Sequence, residues 1–398
     1  MSYYTLAISG SNHDSSICLL KDNEIVVTYS CERISRQKHT RIIHQGDVNI
    51  IAKYTKHIDT LILVSIWEIV NGIPEISYDS SVDQPHYQNI IQLLINSNIT
   101  FDQVIIDNDN HHLFHASAGY YTSGLDNAIA IIIDGMGSVK KSVTEPWGLL
   151  AESTSFFHCS DSITTVYKQL HYSNRGAMNG WKDETINKVA FDYPYKVTIT
   201  PHLDIGKMYG CITRYLGFYT IDAGKTMGLA AYGSPNSLPP MLINSTTSNA
   251  NLFRFDGHVN TIAYPNLKNP SIQTRKDMAY NVQRALENIF VERVASALKM
   301  KYSRNIILGG GCALNILGNS EIKKHFPDIN VYCEPIAADA SQSVGAALYY
   351  YKKHFPDAMF KKIDNLYQGP HQDLPSIKSK LTKLVEHYNE STIQVNIN

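Results

Sequence analysis

The strongest constraint on how this chain can fold is a pattern of strand signals that occurs twice. YYTLAISG, SSICLL and EIVVTYSCE are three short apolar, β-branched runs separated by Gly-Ser-Asn-His-Asp and Lys-Asp-Asn turn signals. They predict a three-stranded meander. A helix over Asp47 to Tyr54, a strand over Leu61 to Ile66, a helix over Tyr87 to Asn96 and a strand over Gln103 to Asn108 follow, giving the order β-β-β-α-β-α-β. The pattern restarts at NAIAIIIDGMGS, with WGLLAES read as the hairpin partner and TSFFHCS as the third strand. At 398 residues the chain is longer than one hydrophobic core usually supports. The repeat therefore predicts two α/β lobes, 1–126 and 127–345, the second carrying an insertion at about 161–270, with a C-terminal helix and tail over 346–398.

Within the second lobe, Met278, Val282, Ala285, Ile289 and Ala297 recur at helical spacing and predict a helix over Arg275 to Met300. NIILGGGCALN then reads as strand, glycine turn and helix, and VYCEPIAADASQSVGAALYYY repeats that scheme. IGKMYGCITRYLGF reads as a further helix, and GKTMGLAAYG as a glycine-rich segment that suits either a loop with a solvated lysine or a backbone passing close to a ligand.

Composition narrows the class of function. Hydrophobic residues make up 43% and charged residues 18%, with a formal net charge of -1, which fits a soluble globular protein and gives no footprint for bulk phosphate-backbone binding. Nucleic acid is thus not an expected partner, although a nucleotide acceptor stays open. The six cysteines form no CxxC pair and are expected to be reduced and buried. No apolar run approaches the roughly 18 residues that a membrane span needs, so the cytoplasm is the default compartment.

The chemistry-bearing residues fall at the ends of the apolar runs. His111 and His115 in HHLFHASAGYY stand one helical turn apart and can meet one ion; the same spacing also suits an ordinary packed helix. Asp134 ends the strand IAIII where a Gly-Met-Gly turn begins, and Asp339 stands in PIAADASQ ahead of a small-residue helix. Each aspartate alone could equally be a cap or turn residue. Two imidazoles with two carboxylates suit Fe2+, Mn2+ or Zn2+ better than the all-oxygen shells of Ca2+ or Mg2+. For phosphate, Gly309, Gly310 and Gly311 offer amides at a helix start. Gly137 in the Gly-Met-Gly turn and Lys225 in GKTMGLAAYG are further candidates for nucleotide contact. His13 and Asp14 occupy the turn between the first two strands, and Arg36 and Lys38 lie in the charged run CERISRQKHT, which is either a solvated face or an anion site.

These segments resemble the O-carbamoyltransferases of the NodU/CmcH family. The resemblance rests on ISGSNHDSSICLLKDNEIV, ERISRQKH, HHLFHASAGYY with IIIDGMG, IGKMYGCITRYLGF, GKTMGLAAYG, LGGGCALN and DASQSVGAAL, in that order. It implies a two-lobed actin-like fold of duplicated ribonuclease-H-like halves, also used by sugar kinases. It implies that this fold binds carbamoyladenylate, with Fe2+ at the positions of His111, His115, Asp134 and Asp339. It further implies that a small-molecule hydroxyl attacks the carbamoyl carbon with release of AMP and that His13 is the candidate base. Lys38, Arg36 and Asp14 would hold the mixed anhydride, and Gly309 to Gly311 with Asn315 would line the adenosine site.

Family members usually continue past the segment matching LYQGP into a YrdC-like domain that makes carbamoyladenylate from ATP and carbamoyl phosphate. The polar remainder HQDLPSIKSKLTKLVEHYNESTIQVNIN is enough for one helix and a tail, so the YrdC-like domain is expected either as a separate partner subunit or as a part that has been cut away. The competing readings are a tRNA-modifying threonylcarbamoyl transferase, a sugar-kinase-like phosphotransferase using Mg2+, and a non-catalytic nucleotide-binding subunit. Residues selecting the acceptor are expected within 161–270, where Tyr172, Trp181, Tyr209 and Tyr215 could stack on a ring or belong to the core.

Overall fold

In the computed structural model the described residues are 2–10, 13–65, 67–70, 73–76, 85–141, 149–172, 194–200, 204–235, 237–238, 270–370 and 374–388. The first lobe contains β1 (Tyr4–Ser9), β2 (Ser16–Lys21), β3 (Glu24–Ser30), α1 (Glu32–Ser35), α2 (Gln45–Ile51) and β4 (His57–Val64). A small β5 (Trp67–Val70) and β6 (Ile73–Ile76) hairpin, α3 (Pro85–Asn96) and β7 (Thr100–Asp107) complete it, and α4 (His111–Ser123) follows. Its sheet has the order β3-β2-β1-β4-β7, antiparallel through the meander and parallel beyond β1.

The second lobe repeats that plan. β8 (Ala128–Ile133), β9 (Val139–Lys141), β10 (Leu149–Cys159), β11 (Ile163–Tyr172) and β12 (Lys196–Thr200) precede α5 (Ile205–Tyr215), α6 (Ala223–Ala230) and α7 (Ile272–Lys299). Then come β13 (Asn305–Gly309), α8 (Ile316–His325), β14 (Asn330–Cys333), α9 (Gln342–His354) and α10 (Leu374–Tyr388). The sheet order β11-β10-β8-β13-β14 reproduces the first, strand for strand and direction for direction, with β12 added beside β11.

Two details differ from the sequence reading. The described residues of WGLLAES and TSFFHCS do not form two strands: Leu149–Cys159 is the single strand β10, and the third strand of the repeat is β11, inside the stretch read as an insertion. The polar run Glu152-Ser153-Thr154-Ser155 hid this, because it interrupts the apolar pattern. All four residues are nevertheless buried, in a strand whose pairing with β11 slips by a residue between Glu152 and Thr154. GKTMGLAAYG, in turn, is mostly the helix α6 rather than a loop. Trp181 and most of 173–269 lie outside the described residues, as does the Tyr172 side chain; Tyr209 is a core residue whose hydroxyl donates to Gln283 at 2.8 Å.

Strand alternation organises the layers. In β1, Leu6 and Ile8 face the outer core of the first lobe, with α2 and α3, while Ala7 faces inward. In β8, Ile129, Ile131 and Ile133 join α5, α7 and α8, while Ala128, Ala130 and Ile132 face the same inner core as Ala7. That inner core is filled by α4 and α9, which lie between the sheets. The two helices touch closely: a Cβ on Gly345 would stand 1.8 Å from the Phe114 carbonyl oxygen. Small residues thus bring α4 and the start of α9 together at the carboxyl ends of β1, β8 and β13.

Candidate metal centre and active site

Three parts of the chain deliver four ligand-type side chains to one point. His111 and His115 come from the first turns of α4, Asp134 from the residue after β8, and Asp339 from the 3-10 turn before α9. All four are largely buried, and one ligand atom from each lies within 4.8 Å of the others. His111 Nε2 is 3.1 Å from Asp134 Oδ2 and 3.5 Å from Asp339 Oδ1. His115 Nε2 is 3.6 and 3.8 Å from the same two atoms and 3.2 Å from His111 Nε2. Ligand atoms bonded at about 2.0–2.2 Å to one ion in a tetrahedral shell stand roughly 3.3–3.6 Å apart. The cluster therefore fits a divalent transition ion with little movement, and its two nitrogens and two oxygens are the donor set of such an ion.

The electrostatics agree with that fit. Burial lowers the pKa of His111, but Asp339 and Asp134 outweigh it and raise the imidazole to about 10. Burial works to raise Asp134, yet its hydrogen bonds to His111 and His115 hold it well below the ordinary value. In the ion-free protein a proton on His111 thus balances the carboxylates, and a metal cation would displace it.

Backbone contacts set these positions. Asp134 Oδ1 accepts from the Gly135 N–H at 2.7 Å and from the Gly311 N–H at 3.3 Å, tying it to the glycine turn after β13. Gly310 adopts φ +81, and a Cβ there would stand 2.6 Å from the Ile133 carbonyl oxygen, so the turn admits only glycine without strain. The start of α4 is held by Ser138, whose Oγ accepts from the His111 N–H at 3.0 Å. Glu152 accepts in turn from the Ser138 N–H at 3.2 Å and pairs with buried Lys168. His112 points away from the cluster: its Nδ1 meets Ser155 Oγ at 2.7 Å, and burial lowers its pKa to about 3.

Across the cleft, His13 Nε2 lies 3.9 Å from Asp339 Oδ2 while its Nδ1 meets Asp14 Oδ2 at 2.9 Å. Burial disfavours its charge, but Asp339 and Asp14 raise it to about 9. Asp14 Oδ1 also holds His39 Nδ1 at 2.7 Å, and the His39 N–H donates to Glu32. The other expected residues divide. Lys38 and Lys225 both pair with Asp222, at 3.2 and 2.7 Å, so a carboxylate absent from the sequence reading holds both cations. Arg36 is exposed, in a left-handed position after α1.

Gly137 and Asn315 occupy packing roles. The Gly137 N–H donates to the Glu152 carbonyl, and a Cβ would stand 2.6 Å from the His112 ring, so its amide is already taken. Asn315 caps α8 by accepting from the Gly318 N–H and pairs twice with Gln283. Gly309 packs against Ile132 and the His115 backbone, while the Gly311 N–H is the amide of the triplet that hydrogen-bonds to a cluster carboxylate.

Two mixed sheets of the same strand order, packed about a pair of central helices with the site at the strand ends, define a two-lobed actin-like fold. HypF of T. kodakarensis has this fold with a TM-score of 0.51 at 14% identity, over 89% of this chain and 48% of that one. HypF in its phosphate- and nucleotide-bound form matches at a TM-score of 0.50 and 12% identity, over 90% of this chain and 56% of that one. The chain belongs to the carbamoyltransferase N-terminus family, which matches residues 5–348. The nodulation protein NolNO of Sinorhizobium fredii is 23% identical over 94% of this chain and 51% of its own length. An uncharacterized protein of Synechocystis sp. is 23% identical over 92% of this chain and 60% of its own. The chain thus spans about half the length of the curated relatives it matches.

Among the described residues, no helix is long and apolar enough to cross a membrane.

Proposed function

We propose that this carbamoyltransferase-family chain moves a carbamoyl group from carbamoyladenylate to a hydroxyl of a small molecule. The observation that carries the reading is the convergence of His111, His115, Asp134 and Asp339 with His13 against the same carboxylate. Those four residues would hold Fe2+ or a similar ion, which supplies charge stabilisation at the carbamoyl and phosphate oxygens. In the transfer itself the acceptor oxygen bonds to the carbamoyl carbon, the bond from that carbon to the phosphate oxygen breaks, and AMP leaves with the electron pair. His13 Nε2 takes the hydroxyl proton, with Nδ1 donating to Asp14 to fix the tautomer. When Asp134 and Asp339 are balanced by an ion, His13 loses the Asp339 share of the field that holds its proton, which favours its action as base.

Lys38 and Lys225 supply positive charge for the adenylate phosphate once they leave Asp222. The same proposal assigns synthesis of carbamoyladenylate, from ATP and carbamoyl phosphate, to a separate YrdC-like domain or subunit. A mass-spectrometric screen of hydroxyl acceptors with preformed carbamoyladenylate tests the reading. The expected result is a carbamoyl mass increment on one acceptor class with matching AMP release. Transfer of phosphate instead, from ATP with Mg2+, would favour a kinase and overturn it.

A further inference from the structure

Asp14 meets a second imidazole to which no role has been given. His39 Nδ1 stands 2.7 Å from Asp14 Oδ1, while His13 Nδ1 stands 2.9 Å from the other oxygen, Oδ2. One carboxylate thus lies between two imidazoles, whose ring centroids are 6.5 Å apart and whose planes cross at 88°. The two turns that carry them are also tied through the backbone. Ser15 gives both its N–H and its Oγ–H to the Thr40 carbonyl, at 2.9 and 3.0 Å, and the His39 N–H donates to Glu32 Oε2 at 2.9 Å.

Both residues of the Asp14–His39 contact hold backbone conformations that side chains disfavour. Asp14 has φ +57 and His39 φ +58, left-handed positions at which a residue other than glycine is uncommon. Such conformations persist only where surrounding contacts over-determine them. The contact with His13 cannot do this for Asp14, because it joins adjacent residues that turn together. Among the described residues, His39 is the hydrogen-bond partner that reaches the carboxylate from a distant part of the chain.

The donors and acceptors fit one assignment. Burial works to raise the Asp14 carboxyl, yet hydrogen bonds from His13 and His39 hold it below its ordinary value, so it acts as an acceptor only. His39 Nε2 is buried with no hydrogen-bond partner among the described residues, so a hydrogen there would be stranded and the ring's hydrogen belongs on Nδ1. Each Asp14 oxygen then accepts from one Nδ1–H, and His13 keeps Nε2 for the hydroxyl proton.

We propose that His39 is a positioning residue for the transfer: its Nδ1–H fixes the Asp14 carboxylate in its left-handed turn, and Asp14 in turn fixes the ring orientation and Nδ1–H of His13. The inference rests on reading His13 as the base. Without His39 the Asp14 side chain is free to rotate, and a base displaced by about 1 Å costs up to about 100-fold in rate.

The test uses the full chain, with His39→Ala, His39→Asn, His39→Gly and His13→Ala beside wild type. Asparagine tolerates positive φ and offers a side-chain N–H in place of Nδ1–H, whereas glycine relieves the backbone but gives no donor. One readout is the nitrogen-15 spectrum of labelled histidine, which shows whether His13 and His39 each carry a hydrogen-bonded Nδ1–H. The other is AMP release from preformed carbamoyladenylate by the Fe2+-reconstituted protein with the accepting hydroxyl compound saturating, resolved into kcat and the KM for carbamoyladenylate. His39→Ala and His39→Gly should lose the His13 Nδ1–H resonance and lower kcat by about 10–100-fold with KM within about threefold of wild type, while His39→Asn restores both. If the alanine and glycine variants keep that resonance and a kcat within about twofold of wild type, His39 positions nothing and the reading of His13 as base stands. Recovery of kcat by glycine alone would place the effect in the backbone and overturn the proposal. If His13→Ala turns over like wild type, the base reading itself falls. Should His39→Ala not fold, the wild-type spectrum decides: absence of an Nδ1–H on either His13 or His39 overturns the proposal.

Discussion

Replacing Gly345 with alanine tests whether the contact between α4 and α9 sets the geometry of the site. The new Cβ would stand 1.8 Å from the Phe114 carbonyl oxygen and 2.6 Å from its carbon, both backbone atoms that cannot swing aside. Reaching ordinary contact near 3.4 Å requires the helices to part by about 1.5 Å. Phe114 lies between His111 and His115 on α4, and α9 begins just after the turn that carries Asp339. Parting the helices therefore moves Asp339 away from a histidine pair that it now approaches at 3.5 and 3.8 Å, too far for one ion to bridge them at normal bond lengths. Overpacking of this kind costs about 1–3 kcal/mol, equivalent to a fall in Tm of roughly 1–4 °C for a chain of this length. Metal affinity should drop by at least about tenfold, on the scale of lost outer-shell support. Thermal unfolding and Zn2+ competition on the same sample check both effects. A variant with wild-type Tm and wild-type affinity would show that this contact does not position the site.

Three further outcomes follow from the geometry. Glu152→Gln leaves Lys168 buried without its anion and should cost about 3–5 kcal/mol in denaturant unfolding. In wild type, burial opposes ionisation of Glu152, but Lys168 and His112 hold its carboxyl down to about 2 from 4.5, so its stabilisation is complete above about pH 4.5 and fades as pH falls toward 2. Asp222→Ala frees Lys38 and Lys225 at an exposed position; Tm should barely move, while AMP, measured by calorimetry, should bind more tightly than to wild type. Weaker AMP binding would show that Asp222 itself serves the nucleotide. Asn315→Ala removes the cap of α8 and both links to Gln283, and should cost about 2–3 kcal/mol in urea unfolding with metal content unchanged.

The fold was legible where burial is two-sided and patterns are pure. β8 and β1 announce themselves as continuous apolar runs, and the restart near Asn127 marks the duplication. Asp134 could be placed because it ends such a run. The reading failed where polar groups are buried in compensation for one another: Glu152 to Ser155 looked like a strand break because Lys168, Ser138, His112 and Asp204, their partners, are distant in sequence. Gly137 and Asn315 carry residue types shared by ligand loops and by packing, and only the contacts with His112 and Gln283 separate the two. Asp222 gave no periodic or motif signal, since it acts through two exposed lysines, one of them distant in the chain.

AMP release from preformed carbamoyladenylate, followed with the accepting hydroxyl compound present, tests the central claim most directly when wild type reconstituted with Fe2+ is compared with His115→Ala and with chelated wild type. The account predicts rapid, acceptor-dependent release by the reconstituted wild type and near-background rates in the other two. Equal rates in all three samples would contradict it.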